Sequence, residues 1–441
     1  MTDPSSDELP HRTPWQPSGK LVRLEVVVVL LAAPFLVFPT LSPLLTLFAL
    51  IGIAVVWLLP LFTSSRPGLP STPFNIALIP WGLVLIVGIL VSADPDQTLP
   101  KATGLILSLA IWRLLVLLGR NRSAINLAML GFVAIGTLFT VTGAIGLDTT
   151  QKIPLLTQYN PAQLFSLPEQ YGLAIHPNQL AGLICLLLPV LISLLFGLQF
   201  PPGKGVWRIA LLIVAALVFA ILILTQSRGG WVGVAGGLVI LLIAWSLLMP
   251  PSLPRTVVRI TMAAVLVIGI LGLVWIGPDR LQQLWLDPPA DTAVGTFTTL
   301  NYRKELWPWA LTAAGDFAFT GTGLGAFREV AFRLYPVQIS PNADIGHAHN
   351  IFLQTALDVG LPGLVVYVAL LLIAFGGAWW IARNSPSYRP YALGLFAGLA
   401  ALHIYGLADA LSLGAKPGIL FWYALGLIAA MSLTTARREH N

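Results

Sequence analysis

An all-α polytopic membrane protein is the fold class this sequence predicts, and three observations carry it. Hydrophobic residues make up 56% of the 441 positions and charged ones only 10%. A water-soluble domain of that length cannot hide so much apolar surface with so few charges. Apolar runs of bilayer length recur from end to end of the chain, each long enough to cross hydrocarbon as a helix. Cations gather in alternate connections, as expected of a chain threading back and forth through a membrane.

Twelve apolar runs are spans on this reading: 21–39, 41–60, 74–93, 102–119, 124–146, 177–199, 207–225, 229–248, 257–277, 361–382, 390–408 and 417–434. Short Pro/Gly-rich or polar turns such as SSRPGLPSTP, FPPGKG and RNSPSYRP separate most of them. With the N-terminus in the cytoplasm, Arg12, Lys20, Arg23, Arg66, Arg120, Arg122, Lys204, Arg208, Arg255, Arg259, Arg383, Arg389, Arg437 and Arg438 all face inward. Arg113 can snorkel to the same side. Only Lys101, Lys152, Arg228 and Lys416 fall in the short outer connections. Both ends are therefore expected inside.

The predicted organisation is a cytoplasmic tail over 1–20, spans one to nine over 21–277, a large outer loop over 278–360, spans ten to twelve over 361–434, and a tail over 435–441. A second long outer segment covers about 147–176. The first run is read as a retained helix rather than a removed signal, because further spans follow it. The net charge of +6 is explained by inner loops, so no nucleic-acid partner is inferred. The single Cys185 lies inside an apolar run and offers neither a disulfide nor a cysteine metal site.

Function is expected where polar residues persist against this composition. Glu25, Arg113, His403 and Asp409 lie nearest the spans, and all fit positions close to an interface. Mid-membrane carboxylates with Gly/Pro-broken helices, expected of an ion transporter, are not evident. The outer rim collects Glu169, His176, Arg228, Arg303, Lys304, Arg328, Arg333, His347 and His349.

Arg228 lies in LTQSRGGWVG, where it is either an interfacial Arg beside an anchoring Trp231 or a binding group. Paired glycines would let a backbone or ligand approach its guanidinium. Arg303 opens LNYRKELWPWALTAAGDF, in which Leu306, Trp307, Ala310, Leu311 and Ala314 repeat at helical spacing. That predicts an amphipathic helix lying on the outer leaflet, with Pro308 placing a kink or a start. The glycines of FTGTGLGAFREV follow no strand, so a close-packing turn fits them better than a nucleotide loop.

In NADIGHAHNIFLQTALDVGLPG, residues 342–363, Asn350 is read as the N-cap of a short helix over 351–359, stopped at Gly360 with Pro362 beyond. His349 then precedes a helix N-terminus, whose positive end favours a neutral imidazole, the form a general base needs. Metal binding is the rival: His347 and His349 supply two ligands, with Asp344 a poor third. Histidines that merely satisfy loop backbone are the other alternative. His176, in LAIHPNQLAG, repeats the theme at the start of span six. Asp94 and Asp96 form a D-x-D in a short outer turn, where Asp and Pro are ordinary.

Arginine forks bind phosphate oxygens bidentately and can absorb the charge that grows on a departing diphosphate. An uncharged imidazole can take the proton of an attacking hydroxyl. Together they suit in-line transfer of a sugar from a lipid diphosphate, with inversion at the anomeric carbon.

Here the residues carry a resemblance. SRGG after a span, YR…LW..AL…GTGLGAF in a large outer loop, and HAHNIFLQ…DVGLPG entering the next span resemble the O-antigen ligase and O-antigen polymerase superfamily of GT-C-type membrane glycosyltransferases. The resemblance implies transfer of a glycan from undecaprenyl diphosphate on the periplasmic side of the bacterial inner membrane, with no metal or cofactor. It implies an acceptor hydroxyl on another glycan, on lipid A core or on a protein. It implies diphosphate-holding roles for Arg228 and Arg303 and the base role for His349, with His347 a second catalytic candidate. His176, Asn350 and Tyr302 would line the same cleft. Two alternatives stand beside it: a polytopic solute transporter of the bicarbonate type, and a non-catalytic protein that binds the lipid carrier.

Overall fold

The computed structural model describes residues 19–63, 71–119, 121–145, 176–198, 205–248, 300–337, 345–411 and 413–439, with isolated positions between them. The expected helical architecture is present. In chain order the helices are α1 (Gly19–Val37), α2 (Pro43–Thr63), α3 (Asn75–Leu90), α4 (Pro95–Leu118), α5 (Arg122–Ile145), α6 (Pro177–Gly197), α7 (Gly205–Leu224) and α8 (Arg228–Leu248). They continue with α9 (Leu300–Asp316), α10 (Phe327–Leu334), α11 (Ile351–Asn384), α12 (Arg389–Gly406) and α13 (Ile419–Glu439). Eleven of the twelve apolar runs coincide with these helices, and eight described helices are long and apolar enough to cross a membrane. The ninth run, 257–277, lies outside the described residues apart from isolated positions, as does the outer segment 148–175.

Burial sorts the helices into an inner and an outer set. In α6 and in the span that contains α13, 83% of the apolar window is buried inside the protein, against 22% for α2 and α7. The outer helices present side chains such as Phe62 and Phe219 outward, where acyl chains rather than water cover them. Association between such helices depends on close packing of small residues. Gly233 and Gly237 supply it on α8: a Cβ on Gly237 would sit 2.5 Å from the Ala401 Cβ of α12. Gly398 of α12 meets the Leu186 carbonyl of α6 in the same way.

Arg113 departs from the sequence expectation. Rather than snorkelling to a surface, it is buried and pairs with Glu25 at 2.9 Å, joining α4 to α1. His403, on α12, is likewise internal: Tyr367 of α11 lies 2.9 Å from its Nε2, and its Nδ1 faces the Leu399 carbonyl at 2.7 Å. A charge or imidazole in an apolar bundle persists only with such partners.

At one end of the bundle, where α12 finishes and α6 and α8 begin, α9, α10 and the first turns of α11 form a small lobe with its own core. Leu306, Ala310, Ala313, Phe327, Ala331, Ile345, Ala348 and Leu357 pack there. The apolar stripe of α9 is thus covered by protein, not laid on a lipid leaflet as its amphipathic pattern suggested. The stripe is real, but α10 and the strap before α11 reach it; Leu311 alone of the five expected positions is largely exposed. Pro308 is accommodated within α9.

Helix α11 begins and bends where the sequence indicated. The Asn350 side chain accepts from the backbone N–H groups of Phe352 and Leu353, both at 3.0 Å. Helical geometry fails at Val359 and Gly360, the latter at φ 77°, ψ 174°, a region essentially restricted to glycine. The GTGLG turn docks onto this bend. Thr322 donates its N–H to the Leu357 carbonyl at 2.6 Å, Leu361 donates to Ala318 at 2.7 Å, and Ala93 donates to Thr322 at 3.0 Å. The turn is therefore a packing device, as expected, joined both to α11 and to the link between α3 and α4. Gly360→Ala is expected to lower stability by about 2 kcal/mol, because its Cβ would also meet the Phe319 carbonyl at 2.7 Å. A thermal melt in detergent checks this; an unchanged midpoint would contradict it.

Candidate active site

The site is built on the strap His347-Ala348-His349-Asn350 ahead of α11. Ala348 is fully buried, and its backbone is held at both ends. Its N–H donates to Gln354 Oε1 at 2.7 Å, and its carbonyl accepts from Trp307 Nε1 at 3.0 Å. The flanking imidazoles lie against each other, ring centroids 4.2 Å apart. His349 has φ 50°, a left-handed conformation that is costly for a non-glycine residue and recurs at functional sites.

Asp409 meets them from the other side. It follows α12, its own N–H bonded to the Tyr405 carbonyl at 3.2 Å, and it is 3% exposed. Its Oδ1 lies 3.3 Å from His349 Nδ1 and 3.6 Å from His347 Nε2, while Oδ2 lies 3.5 Å from Arg303 Nη2. The His349 contact is at ion-pair distance rather than in good hydrogen-bond geometry. Burial alone would raise the Asp409 carboxyl, but His349, His347 and Arg303 outweigh it and hold the group well below the usual carboxylate range.

The two imidazoles have different roles open to them. The His349 amide donates to His347 Nδ1 at 3.2 Å, which places the His347 proton on Nε2, toward Asp409. Burial pushes His347 down to about 3, with the neighbouring His349 adding to the shift. Both its nitrogens are therefore engaged. An ionised Asp409 can only accept, so the proton facing it on His349 belongs to Nδ1, and Nε2 is the nitrogen that keeps a lone pair in that tautomer.

The other expected residues fall as follows. Arg303, on α9, joins the cluster through Asp409. His176 caps α6, its Nδ1 accepting from the Asn178 N–H at 3.2 Å. Asn350 serves as a cap and tie rather than as a wall: its Nδ2 donates to the Leu407 carbonyl at 3.1 Å, joining the strap to the end of α12. The Tyr302 side chain and Asp344 lie outside the described residues. Arg228 is exposed at the first position of α8. It is tied to the site through packing: a Cβ on Gly229 or Gly233 would contact the Tyr405 side chain, four residues before Asp409. Of the paired glycines that the sequence read as room for a backbone or a ligand, Gly229 faces the Tyr405 ring and Gly230 faces Ala181 of α6.

Sequence reasoning missed the central role of Asp409, along with Trp307 and Gln354. A lone carboxylate in the apolar stretch LADALSLG was noticed as ionisable and placed near an interface. Nothing in the sequence says that α12 delivers it onto a strap sixty residues earlier. A third metal ligand is also supplied: His347, His349 and Asp409 bring ligand atoms within 4.8 Å of one another. Arg303 on the same carboxylate opposes a dication, since a fixed guanidinium already neutralises the only anion of the set.

A polytopic helical membrane protein with a buried carboxylate, paired imidazoles and an arginine gathered at one end of its bundle is the class defined by fold and site. Residues 212–368, which include Arg228, Arg303, His347 and His349, match the family model described as O-Antigen ligase. Over 225 residues, 50% of this chain, the sequence is 28% identical to an O-antigen ligase of Pseudomonas aeruginosa, covering 47% of that protein. Over 182 residues, 36% of this chain, it is 28% identical to the exopolysaccharide production protein ExoQ of Rhizobium meliloti, covering 41% of it. The chain thus spans about half the length, or less, of the curated relatives it matches. Residues 212–368 are thus similar to the O-antigen ligase family, and the SRGG, GTGLGAF and HAHN motifs quoted above all lie within that match.

Proposed function

We propose that the protein is a membrane glycosyltransferase that moves a glycan from undecaprenyl diphosphate to an acceptor hydroxyl on the periplasmic side of the inner membrane. The spans and tails are oriented as the cation pattern suggests, both ends cytoplasmic and 278–360 outside. The observation that carries the mechanism is Asp409, placed 3.3 Å from His349 Nδ1 and 3.5 Å from Arg303.

Asp409 orients the His349 ring and balances the charge it acquires, so that Nε2 takes the acceptor proton. The acceptor oxygen forms its bond to the anomeric carbon as the bond from that carbon to the diphosphate breaks. The electron pair leaves with the lipid diphosphate, and the anomeric centre inverts. Arg303, fixed at the cluster, and Arg228, at the same end of the bundle, oppose the charge developing on the leaving group. His347 supports this arrangement from within and is not the base, since both its nitrogens are engaged.

The test is turnover of a labelled polyprenyl-diphosphate glycan by the reconstituted protein, with a glycan, lipid A core or peptide hydroxyl as acceptor. Turnover is expected to be unaffected by EDTA. Loss in EDTA with recovery on adding a divalent cation would convert the triad of His347, His349 and Asp409 into a metal site and overturn the base mechanism. Absence of transfer to every acceptor, with the lipid still bound, would make the protein a carrier-binding one.

A further inference from the structure

Behind the strap runs a string of polar groups that the proposed chemistry does not use. Asp358, fully buried at the bend of α11, accepts through Oδ1 from the Gly325 N–H at 2.8 Å and from Gln354 Nε2 at 2.7 Å. The Gln354 amide, also buried, turns its Oε1 to the Ala348 N–H at 2.7 Å. Trp307 closes the other side of the same peptide. A primary amide can present either end to a neighbour; an acceptor-only carboxylate at one end decides which. The charged group facing Asp358 from another element is Lys101 of α4, with His347 and His349 on the strap beyond Gln354.

We infer that Gln354 and Asp358 are positioning residues for the proposed transfer, fixing the Ala348 peptide and so the setting of His349 against Asp409. The inference rests on the base role given to His349. Asp358 fixes the orientation of the Gln354 amide, the amide fixes the peptide, and the peptide holds the left-handed turn that aims the imidazole. A base displaced by even one ångström loses much of its effect on rate.

A substitution with charge in place of amide tests this. In Gln354→Glu, a protonated glutamic acid reproduces the pattern, its O–H donating to Asp358 and its carbonyl accepting from Ala348. Two ionised carboxylates in that place repel, so one holds its proton to higher pH than an isolated acid would. The ratio of Gln354→Glu to wild-type kcat is therefore expected to lie near one at the acid end and to fall at least tenfold as pH rises. The KM for the lipid donor should stay unchanged. Adding Asp358→Asn to Gln354→Glu should flatten that ratio.

Gln354→Leu should lower kcat on the order of 100-fold at every pH. A ratio independent of pH for Gln354→Glu, or full activity of Gln354→Leu, overturns the positioning role. The same assay on His349→Asn separates the two readings: if that variant keeps wild-type turnover, the base role itself has failed. If it is inactive while the Gln354 variants behave as wild type, only the positioning role has failed.

Discussion

His349→Asn is expected to lower the rate of glycan transfer by about 10²–10⁴-fold while leaving the protein inserted and its donor bound. Asparagine is the informative replacement because it tolerates the left-handed backbone of this position, where φ is 50°. Alanine would mix loss of the base with local strain. The imidazole is not part of any of the three apolar clusters of the described residues, so the bundle should assemble without it. Single-turnover kinetics with labelled donor, beside a donor-binding measurement, separate chemistry from affinity. Wild-type turnover would end the proposed mechanism.

Asp409→Asn should be nearly as severe, with a fall in kcat on the order of 10²–10⁴-fold, the scale seen when a carboxylate that orients a catalytic imidazole is amidated. The two Asp409 oxygens face four donors: the Ala410 N–H at 2.9 Å, both imidazoles, and Arg303. An asparagine has one acceptor oxygen for all four and turns an N–H toward one of them. That leaves buried donors unpaired and favours the wrong His349 tautomer. The cluster would also lose the negative charge that faces Arg303 at 3.5 Å. The result to look for is a drop in kcat with little change in donor KM, measured beside a thermal melt that shows the variant folded. Activity above half that of wild type would contradict the orienting role.

The fold was legible because the membrane leaves few solutions: apolar runs of bilayer length must be helices, and eleven of them are. The cap at Asn350 and the break at Gly360 were readable for a similarly local reason, since an Asn side chain and a glycine with positive φ act within a few residues. Arg303 and the histidines were singled out because charge and imidazole stand out against hydrocarbon. Asp409 was not, because its meaning depends on how α12 packs against α6, α8 and the lobe, a relation with no local signature. Arg113 illustrates the converse. A cation beside a span suggests a surface, and only the partner on α1 shows that it is inside. The pattern of α9 gave its buried face correctly, yet pattern alone cannot say whether protein or lipid will cover it.

The turn from Gly321 to Gly325 is sewn to the bundle on two sides, through Thr322 to both Leu357 and Ala93 and through Ala318 to Leu361. A lobe anchored in this way has no hinge along that seam. It stands at that end of the bundle as a fixed canopy, not a door. Movement along this line would require those backbone hydrogen bonds to break together.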